Sequence, residues 1–278
     1  MILSLHSMSS FELACVRLRH SRLLRGRSHF WNVIRPVYNA VVHAIAPQGL
    51  VRVINGTDRI RVAPEARGVP EIYEPLFWAR LMSSVGPGDT FVDVGSFWGL
   101  YAVAVAKRVG PTGKVIAIEP DPNSFERIRR HVTLNGIEKR VTLVHAAASD
   151  RDGTVRFLAN GRCDARICEA NGSDSVLVAC GRLDTLLQGI NVDVLKIDVE
   201  GFEEKVLEGA EALLRNPDRK PRFIYLEVHP YAWQAVGTTS SSLLQTLEQF
   251  GYDVATPEGA SVESVTEYGS VIATRKAH

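Results

Sequence analysis

Apolar and polar positions alternate on both sides of an Asn-Gly pair early in the chain. Leu50-Val-Arg-Val-Ile54 precedes Asn55-Gly56 and Ile60-Arg-Val62 follows it, which predicts a β-hairpin. From Glu71 to Ser84 the spacing becomes that of one amphipathic helix, with Ile72, Leu76, Ala79 and Leu81 among its apolar positions and Gly86-Pro87-Gly88 closing it. Beyond Thr90, short apolar runs alternate with helical patterns. Strands are expected at Thr90 to Val94, Lys114 to Ile118, Val141 to Ala147, Val192 to Ile197 and Arg222 to Val228. Between and after them, helices are expected at Leu100 to Val109, Asn123 to Leu134, Phe202 to Arg215 and Ser240 to Phe250. Within Gly153 to Gly181, Val155 to Leu158 and Val176 to Cys180 read as strands, and Tyr252 to Ala255 with Ser270 to Arg275 supply a final hairpin. Repeated strand-helix-strand units imply right-handed crossovers and a largely parallel sheet covered on both faces, whose ligands bind beyond the carboxyl ends of its strands.

Upstream of the hairpin, Phe30 to Ala46 sets Trp31, Ile34, Tyr38, Val41, Val42 and Ile45 at helical spacing, with Pro36 able to kink that helix or to mark its first turn. Charge divides the chain after Pro70. Residues 1–70 carry ten arginines and three acids, and residues 71–278 carry 22 bases and 28 acids. A basic leader therefore precedes a mildly acidic body. Arg17, Arg19, Arg22, Arg25 and Arg27 fit a solvated helix face, and they also fit peripheral contact with an anionic membrane surface. The same amphipathic leader could support an oligomer. No run of 18 apolar residues occurs, and polar residues interrupt the first 16, so neither a membrane span nor a signal peptide is expected. With 45% hydrophobic and 23% charged residues, collagen, low-complexity disorder and disulfide-stapled miniproteins are excluded. Cys15, Cys163, Cys168 and Cys180 lack metal-ligand spacing and read as reduced thiols of a cytoplasmic protein.

The first candidate for chemistry is Asp93-Val-Gly95-Ser-Phe-Trp-Gly99, where the first strand of the alternating region meets its helix. Glycines there let the backbone turn tightly and approach a ligand, and the helix start presents unpaired N–H groups. A dinucleotide fingerprint starting at Gly95 would need glycine where Phe97 and Leu100 stand, and no Gly-Lys-Ser/Thr triplet exists for a Walker loop. Asp-x-Gly-x-x-x-Gly remains, suited to a cofactor without a diphosphate. Glu119, at the end of the next strand, points into the same crevice, where its two oxygens can accept from both hydroxyls of a ribose. It can equally be a helix N-terminal acid, because Asp121 and Asn123 open a helix beside it.

At this point the chain resembles S-adenosylmethionine-dependent methyltransferases of the Rossmann-like class, and more closely the FkbM family. The resemblance runs from about Tyr73 to Ala255. It rests on Phe91-Val-Asp-Val-Gly95-Ser-Phe-Trp-Gly99, Ile118-Glu-Pro-Asp-Pro122, Ala147-Ala-Ser-Asp150, Leu183-Asp-Thr-Leu186, Leu195-Lys-Ile-Asp-Val-Glu-Gly201-Phe-Glu203 and Leu226-Glu-Val-His229. One departure is the bulky Phe97-Trp98 between the two glycines, where the family carries small or polar residues. The resemblance implies an α/β fold: a Rossmann-like, seven-stranded, mostly parallel sheet with helices on both faces. Residues 71–278 would form this methyltransferase domain, and residues 1–70 a helical and hairpin extension. It also implies S-adenosylmethionine as cofactor, with Asp93, Gly95 and Gly99 at the methionine end, Glu119 on the ribose, Ala147 to Asp150 flanking the adenine, and Asp198 facing the methyl group and acceptor.

Strand alternation puts Lys196, Asp198 and Glu200 on one side, and the favoured reading of Lys196 is an internal ion pair with Asp93 or Glu227. A hydroxyl acceptor must lose its proton during attack, which calls for a base or a metal near the transferred methyl. Asp198, Glu227 and His229 are the catalytic candidates. His229 is the natural general base, or else a solvent-exposed loop residue before Pro230. Mg²⁺ on Asp198 or Glu227 is the subordinate alternative. His131 and His145 read as packing or satisfied polar residues. The expected activity is O-methylation of a hydroxyl on a saccharide or polyketide-like metabolite, without a nucleic-acid partner. Two readings compete with it: a catalytically silent binding module of the same fold, and an RNA or protein methyltransferase served by the basic leader.

Overall fold

The computed structural model describes residues 36–37, 40–158 and 175–277. Cys15, Cys163, Cys168, Arg17, Arg19, Arg22, Arg25, Arg27, Trp31, Ile34 and Tyr38 lie outside these residues. Two compact units divide between Tyr73 and Glu74.

In the first unit, residues 36–37 and 40–45 are helical, with Val42 buried and Val41 and Ile45 exposed. Strands β1 (Leu50–Ile54) and β2 (Asp58–Val62) pair antiparallel across Asn55-Gly56-Thr57. Asn55 and Gly56 both take left-handed backbone (φ 50° and 75°), which this residue pair tolerates best. Asn55 also anchors the segment that leaves the hairpin: its N–H donates to Glu71 O at 2.6 Å, its Nδ2 to Tyr73 O at 2.8 Å, and its Oδ1 accepts from Tyr73 N at 2.9 Å.

The second unit opens with helix α1 (Pro75–Ser84), four residues later than the periodicity predicts. Glu74 sits at φ 41°, ψ 56°, outside the right-handed helical region that a following proline disfavours, and the helix starts at Pro75. Its buried face is Phe77, Trp78, Leu81 and Met82, whereas Ile72 and Leu76, expected inward, are exposed.

The main sheet comprises β3 (Thr90–Val94), β4 (Lys114–Ile118), β5 (Val141–Val144), β9 (Val194–Ile197), β10 (Phe223–Val228), β11 (Tyr252–Ala255) and β12 (Gly269–Arg275). The spatial order is β11-β12-β10-β9-β3-β4-β5, and only β12 runs antiparallel to its neighbours. This is the expected Rossmann-like, seven-stranded, mostly parallel sheet. Chain order reverses between β3 and β9, so a crevice opens beyond their carboxyl ends. Val92, Val94, Ile116, Ile118, Leu195, Ile197, Ile224 and Leu226 are buried in the sheet, the near-continuous apolar pattern of strands covered on both faces. Helix α2 (Leu100–Arg108), apolar from Leu100 to Ala106, and α3 (Pro122–Asn135) follow β3 and β4.

Two further expectations are corrected. The strand expected from Val141 to Ala147 splits: β5 stops at Val144, and β6 (Ala147–Ala148) joins a separate three-stranded sheet with β7 (Gly153–Leu158) and β8 (Ser175–Gly181). After helix α4 (Leu183–Leu186), the helix expected from Phe202 to Arg215 divides into α5 (Glu203–Glu208) and α6 (Glu211–Arg215). The break falls at Gly209, where a Cβ would stand 1.9 Å from the Ser149 carbonyl oxygen. Helices α7 (Pro230–Trp233) and α8 (Ser240–Gln249) complete the unit. Among the described residues, no helix is long and apolar enough to cross a membrane.

Candidate active site

The loop after β3 is held by its own main chain. Gly95 N and Ser96 N donate to Ile118 O at 2.9 and 3.3 Å, and Gly99 N donates to Ser96 O at 2.6 Å before α2 begins. Gly95 has φ 79°, and a Cβ on it would meet Asp198 O at 1.8 Å, so glycine is what allows the loop to lie against the end of β9. Phe97 adopts φ 46°, a strained state for an aromatic residue, and its N–H donates to Glu119 Oε2 at 2.7 Å. The bulky pair between the glycines is thus accommodated: Phe97 and Trp98 pack edge to face at 5.0 Å, and the Arg127 guanidinium lies 4.4 Å from the Trp98 ring centre.

Asp93 pairs in register with Lys196 and is almost fully buried. Both of its carboxylate oxygens are buried without a hydrogen bond, while its carbonyl accepts from Ser96 Oγ. Burial pushes this carboxyl up, against the pull of the Lys196 ammonium. Such orphaned acceptors at the base of a glycine loop fit the ammonium of an amino-acid moiety.

Glu119 is buried one residue beyond β4. Its Oε1 accepts from Asp121 N at 2.8 Å and its Oε2 from Phe97 N, which leaves each oxygen a further lone pair. Burial pushes it up to about 7, against those two N–H groups. The helix cap is Asp121, which accepts from Asn123 N and Ser124 N, so Glu119 braces the loop and does not cap α3. Beyond β5, His145 stacks on Phe125 with ring centres 4.7 Å apart, and its Nε2 lies 3.1 Å from Pro120 O. His131 is buried and bonds Trp98 O through Nδ1. Ala147 turns its methyl into the small cluster with Val155, Phe157, Val178 and Cys180, so only its backbone can serve a ligand. Asp150 is half-buried and accepts from Ser149 Oγ.

The carboxyl ends of β9 and β10 bring the three catalytic candidates together. One ligand atom each from Asp198, Glu227 and His229 lies within 4.8 Å of the others. Lys196, fully buried, sits 3.0 Å from Asp198 Oδ2 and 3.5 Å from Glu227 Oε1. The expected internal ion pair therefore forms with Glu227 and Asp198, and no contact within 4 Å joins Lys196 to Asp93. Burial works against the Lys196 charge, yet Asp198 and Glu227 hold it well above its ordinary range. Burial and the charge of Asp198 push Glu227 well up, because one ammonium is shared between two carboxylates and stands nearer Asp198. Tyr268, in the connection before β12, donates to Glu227 Oε2 at 3.0 Å.

His229 is buried, which sets aside the solvent-exposed reading. Its Nδ1 lies 2.7 Å from Glu203 Oε1, and Glu203 already accepts from Gly201 N at 2.9 Å and Trp233 Nε1 at 2.7 Å. Nδ1 therefore carries the proton, and Nε2 faces Glu200 Oε2 at 3.6 Å and Asp198 Oδ1 at 3.9 Å. Burial lowers the imidazole, but the hydrogen bond to Glu203 and the charge of Asp198 prevail and raise it above its ordinary value. Glu200, in left-handed backbone at φ 51°, also accepts from the Tyr231 hydroxyl.

Sequence pattern alone assigns no role to Glu203 or Tyr268. Glu203 could have been found, since Val206 and Leu207 follow at helical spacing and mark its position as inward-facing; an acid there demands partners. Nothing in the pattern around Tyr268 marks it.

A glycine loop pressed against an acid-lined crevice at the switch point of this sheet is suited to hold a small cofactor beside a second ligand. The family profile of the Methyltransferase FkbM domain matches residues 87–254, more than half of the chain, and the chain belongs to this family. A putative methyltransferase of Jannaschia sp. (strain CCS1) is 29% identical over 154 residues, 48% of this chain and 55% of that protein. The methyltransferase sdnD of Sordaria araneosa is 27% identical over 180 residues, 50% of this chain and 68% of that protein. The chain thus spans little more than half the length of the first of these relatives. Among solved structures, an FkbM methyltransferase from Methylobacillus flagellatus KT superposes with TM-score 0.44 at 16% identity, over 67% of this chain and 43% of that one. An S-adenosylmethionine-dependent O-methyltransferase from Thermotoga maritima gives TM-score 0.43 at 18% identity, over 74% and 67%.

Proposed function

We propose that the chain is an S-adenosylmethionine-dependent O-methyltransferase acting on a hydroxyl of a small molecule, a saccharide or a polyketide-like metabolite. The observation that carries this reading is the contact of Gly95 with the carbonyl of Asp198, which joins the loop suited to the cofactor to the crevice suited to the acceptor. The orphaned Asp93 carboxylate fits the methionine ammonium, and the spare lone pairs of Glu119 fit the ribose hydroxyls. When bound, the cofactor supplies an electrophilic methyl on a sulfonium. His229 Nε2 takes the acceptor's hydroxyl proton, Glu203 keeps the imidazole oriented through Nδ1, and Asp198 and Glu200 stabilise the imidazolium that results. Oriented juxtaposition of donor and acceptor can be worth roughly 7–11 kcal/mol, so positioning supplies much of the rate.

Calorimetric titration of the full chain with S-adenosylhomocysteine should give saturable binding near one per chain. Methyl transfer to a panel of glycoside and polyketide hydroxyls should then be lost in His229→Asn. A folded chain that binds neither S-adenosylmethionine nor S-adenosylhomocysteine overturns the reading and favours the silent binding module. Turnover that requires an oligonucleotide or protein acceptor favours the macromolecular alternative.

A second reading, Mg²⁺ assistance, is favoured by the approach of Asp198, Glu227 and His229 to one another. Carboxylate oxygens suit a hard cation, which would activate the acceptor hydroxyl directly. Lys196 already neutralises the Asp198 and Glu227 oxygens that face it, so an ion would use the remaining ones. Turnover unchanged by excess chelator removes this reading.

A further inference from the structure

The opposite end of the same sheet carries a cavity of about 400 Å³ at the start of β10 and the end of β12. Its charged lining is entirely basic: Lys220, Arg222, Arg275 and Lys276, with the Phe223 ring as an apolar wall. Two of these cations are balanced. Arg222 pairs with Asp89 at 2.8 Å and Asp193 at 3.7 Å, and Lys276 lies 3.6 Å from Asp253 and 4.0 Å from Glu248. The other two are not. Lys220 Nζ donates to the Phe250 carbonyl at 2.7 Å and lies 5.0 Å from the Tyr252 ring centre. Arg275 Nη1 donates to the carbonyls of Lys220 and Pro217 at 3.3 and 3.4 Å. Among the described residues neither has a carboxylate within 4 Å, and burial together with the neighbouring Arg275 charge pulls Lys220 down. Like charges gathered round a cavity repel one another unless an anion sits between them.

We propose that this basic cavity binds the phosphate group of a small molecule, with Lys220 and Arg275 as its principal contacts. A guanidinium anchored through Nη1 presents its other N–H groups in the fork that matches a phosphate, and Lys220 adds a point charge. The volume falls within the range of small-ligand pockets. Register pairs Phe223 with Thr274, and β10 runs six residues from Phe223 to Val228 before reaching His229. At roughly 3.3 Å per residue, about 17 Å of strand separates this cavity from the methyl-transfer crevice, so the bound group does not take part in the chemistry there.

The test is calorimetric titration of the full chain with inorganic pyrophosphate, and with inorganic phosphate, at ionic strength matched with potassium chloride. The result expected is saturable binding near one per chain, weakened about tenfold or more in Lys220→Gln and in Arg275→Gln. Arg275→Lys, which keeps the charge, should restore part of the loss and guards against misreading a folding defect. Affinity for S-adenosylhomocysteine should stay at the wild-type value in all three variants, which separates this site from the cofactor site. The proposal is overturned by absence of saturation at millimolar pyrophosphate, by unchanged pyrophosphate affinity in folded K220Q and R275Q, or by binding confined to oligonucleotides or to anionic vesicles.

Discussion

The main-chain oxygen of Asp198 lies 1.8 Å from the point that a Cβ on Gly95 would occupy. The obstructing atom is backbone, so no rotamer change relieves the clash, and Asp198 N is itself pinned to Val94 O at 3.0 Å. Gly95→Ala should therefore destabilise the chain by at least about 3 kcal/mol or push the loop outward and abolish cofactor binding. Gly110 is the control: it has φ 69° with open space around it, so Gly110→Ala should cost only about 1–2 kcal/mol of left-handed strain. Denaturant unfolding of the two variants, beside S-adenosylhomocysteine titration, checks the contrast. Equal costs would show that close packing at Gly95 does not matter.

Glu203 is fully buried and joins His229, Trp233 and Gly201 through three hydrogen bonds. With His229 as the base, the rate should rise with pH as the imidazole loses its proton, and that limb should lie above the ordinary histidine value, because Glu203 and Asp198 outweigh burial. Glu203→Gln removes one of those charges. The limb should move to lower pH, and kcat should fall about 10- to 100-fold as the ring loses its fixed orientation. A pH–rate profile whose ascending limb does not move in E203Q would make Glu203 a packing residue only.

Glu119 gives a proton linkage of opposite use. A carboxyl raised from 4.5 to about 7 stabilises the folded chain at low pH, and that contribution is lost as pH rises through about 7. Ribose hydroxyls donate to the ionised form, so cofactor binding should release a proton from Glu119 below that pH. Affinity for S-adenosylhomocysteine should weaken as pH falls from 7, by at most about tenfold per unit. Titrations in buffers of different ionisation heat should register the released proton, and Glu119→Gln should bind weakly with a shallower pH dependence. A wild-type affinity flat from pH 5.5 to 8 would contradict the ribose assignment.

The placement of these groups was legible because polar residues stand at or next to the ends of apolar runs. Asp93 is the fourth of the five residues of β3, Glu119 follows β4 directly, Asp198 follows β9 directly and His229 follows β10 directly. Strand ends in a parallel sheet are where ligands sit, so locating the strands located the site. The Asn-Gly turn was legible for the same local reason. The features that escaped depend on contacts between distant segments. The division of Phe202 to Arg215 is set by the Ser149 carbonyl against Gly209, and the separation of β6 from β5 is set by its pairing with Cys180 and Gly181 in β8. The late start of α1 was readable from Pro75, but the apolar spacing through Ile72 outweighed it. Local spacing marks Glu203 as inward-facing, but its role needs the ring of His229, 26 residues further on.

Lys196 presents the sharpest energetic test of the crevice. Its ammonium is fully buried between Asp198 and Glu227, and Asp93 stands beside it in register on β3. Removing the cation leaves buried carboxylates facing one another, so Lys196→Met should cost about 3–5 kcal/mol at neutral pH, far more than the packing change alone. Because Glu227 is already pushed well up, acidification should neutralise it first and recover part of the loss. Glu227→Gln in the Lys196→Met background should do the same at neutral pH, making the pair strongly non-additive. A double-mutant cycle of unfolding free energies, measured at pH 5.5 and 7.5, decides it. Additive losses at both pH values would mean that Lys196 is held by the hydrophobic packing of its stem and not by the two acids.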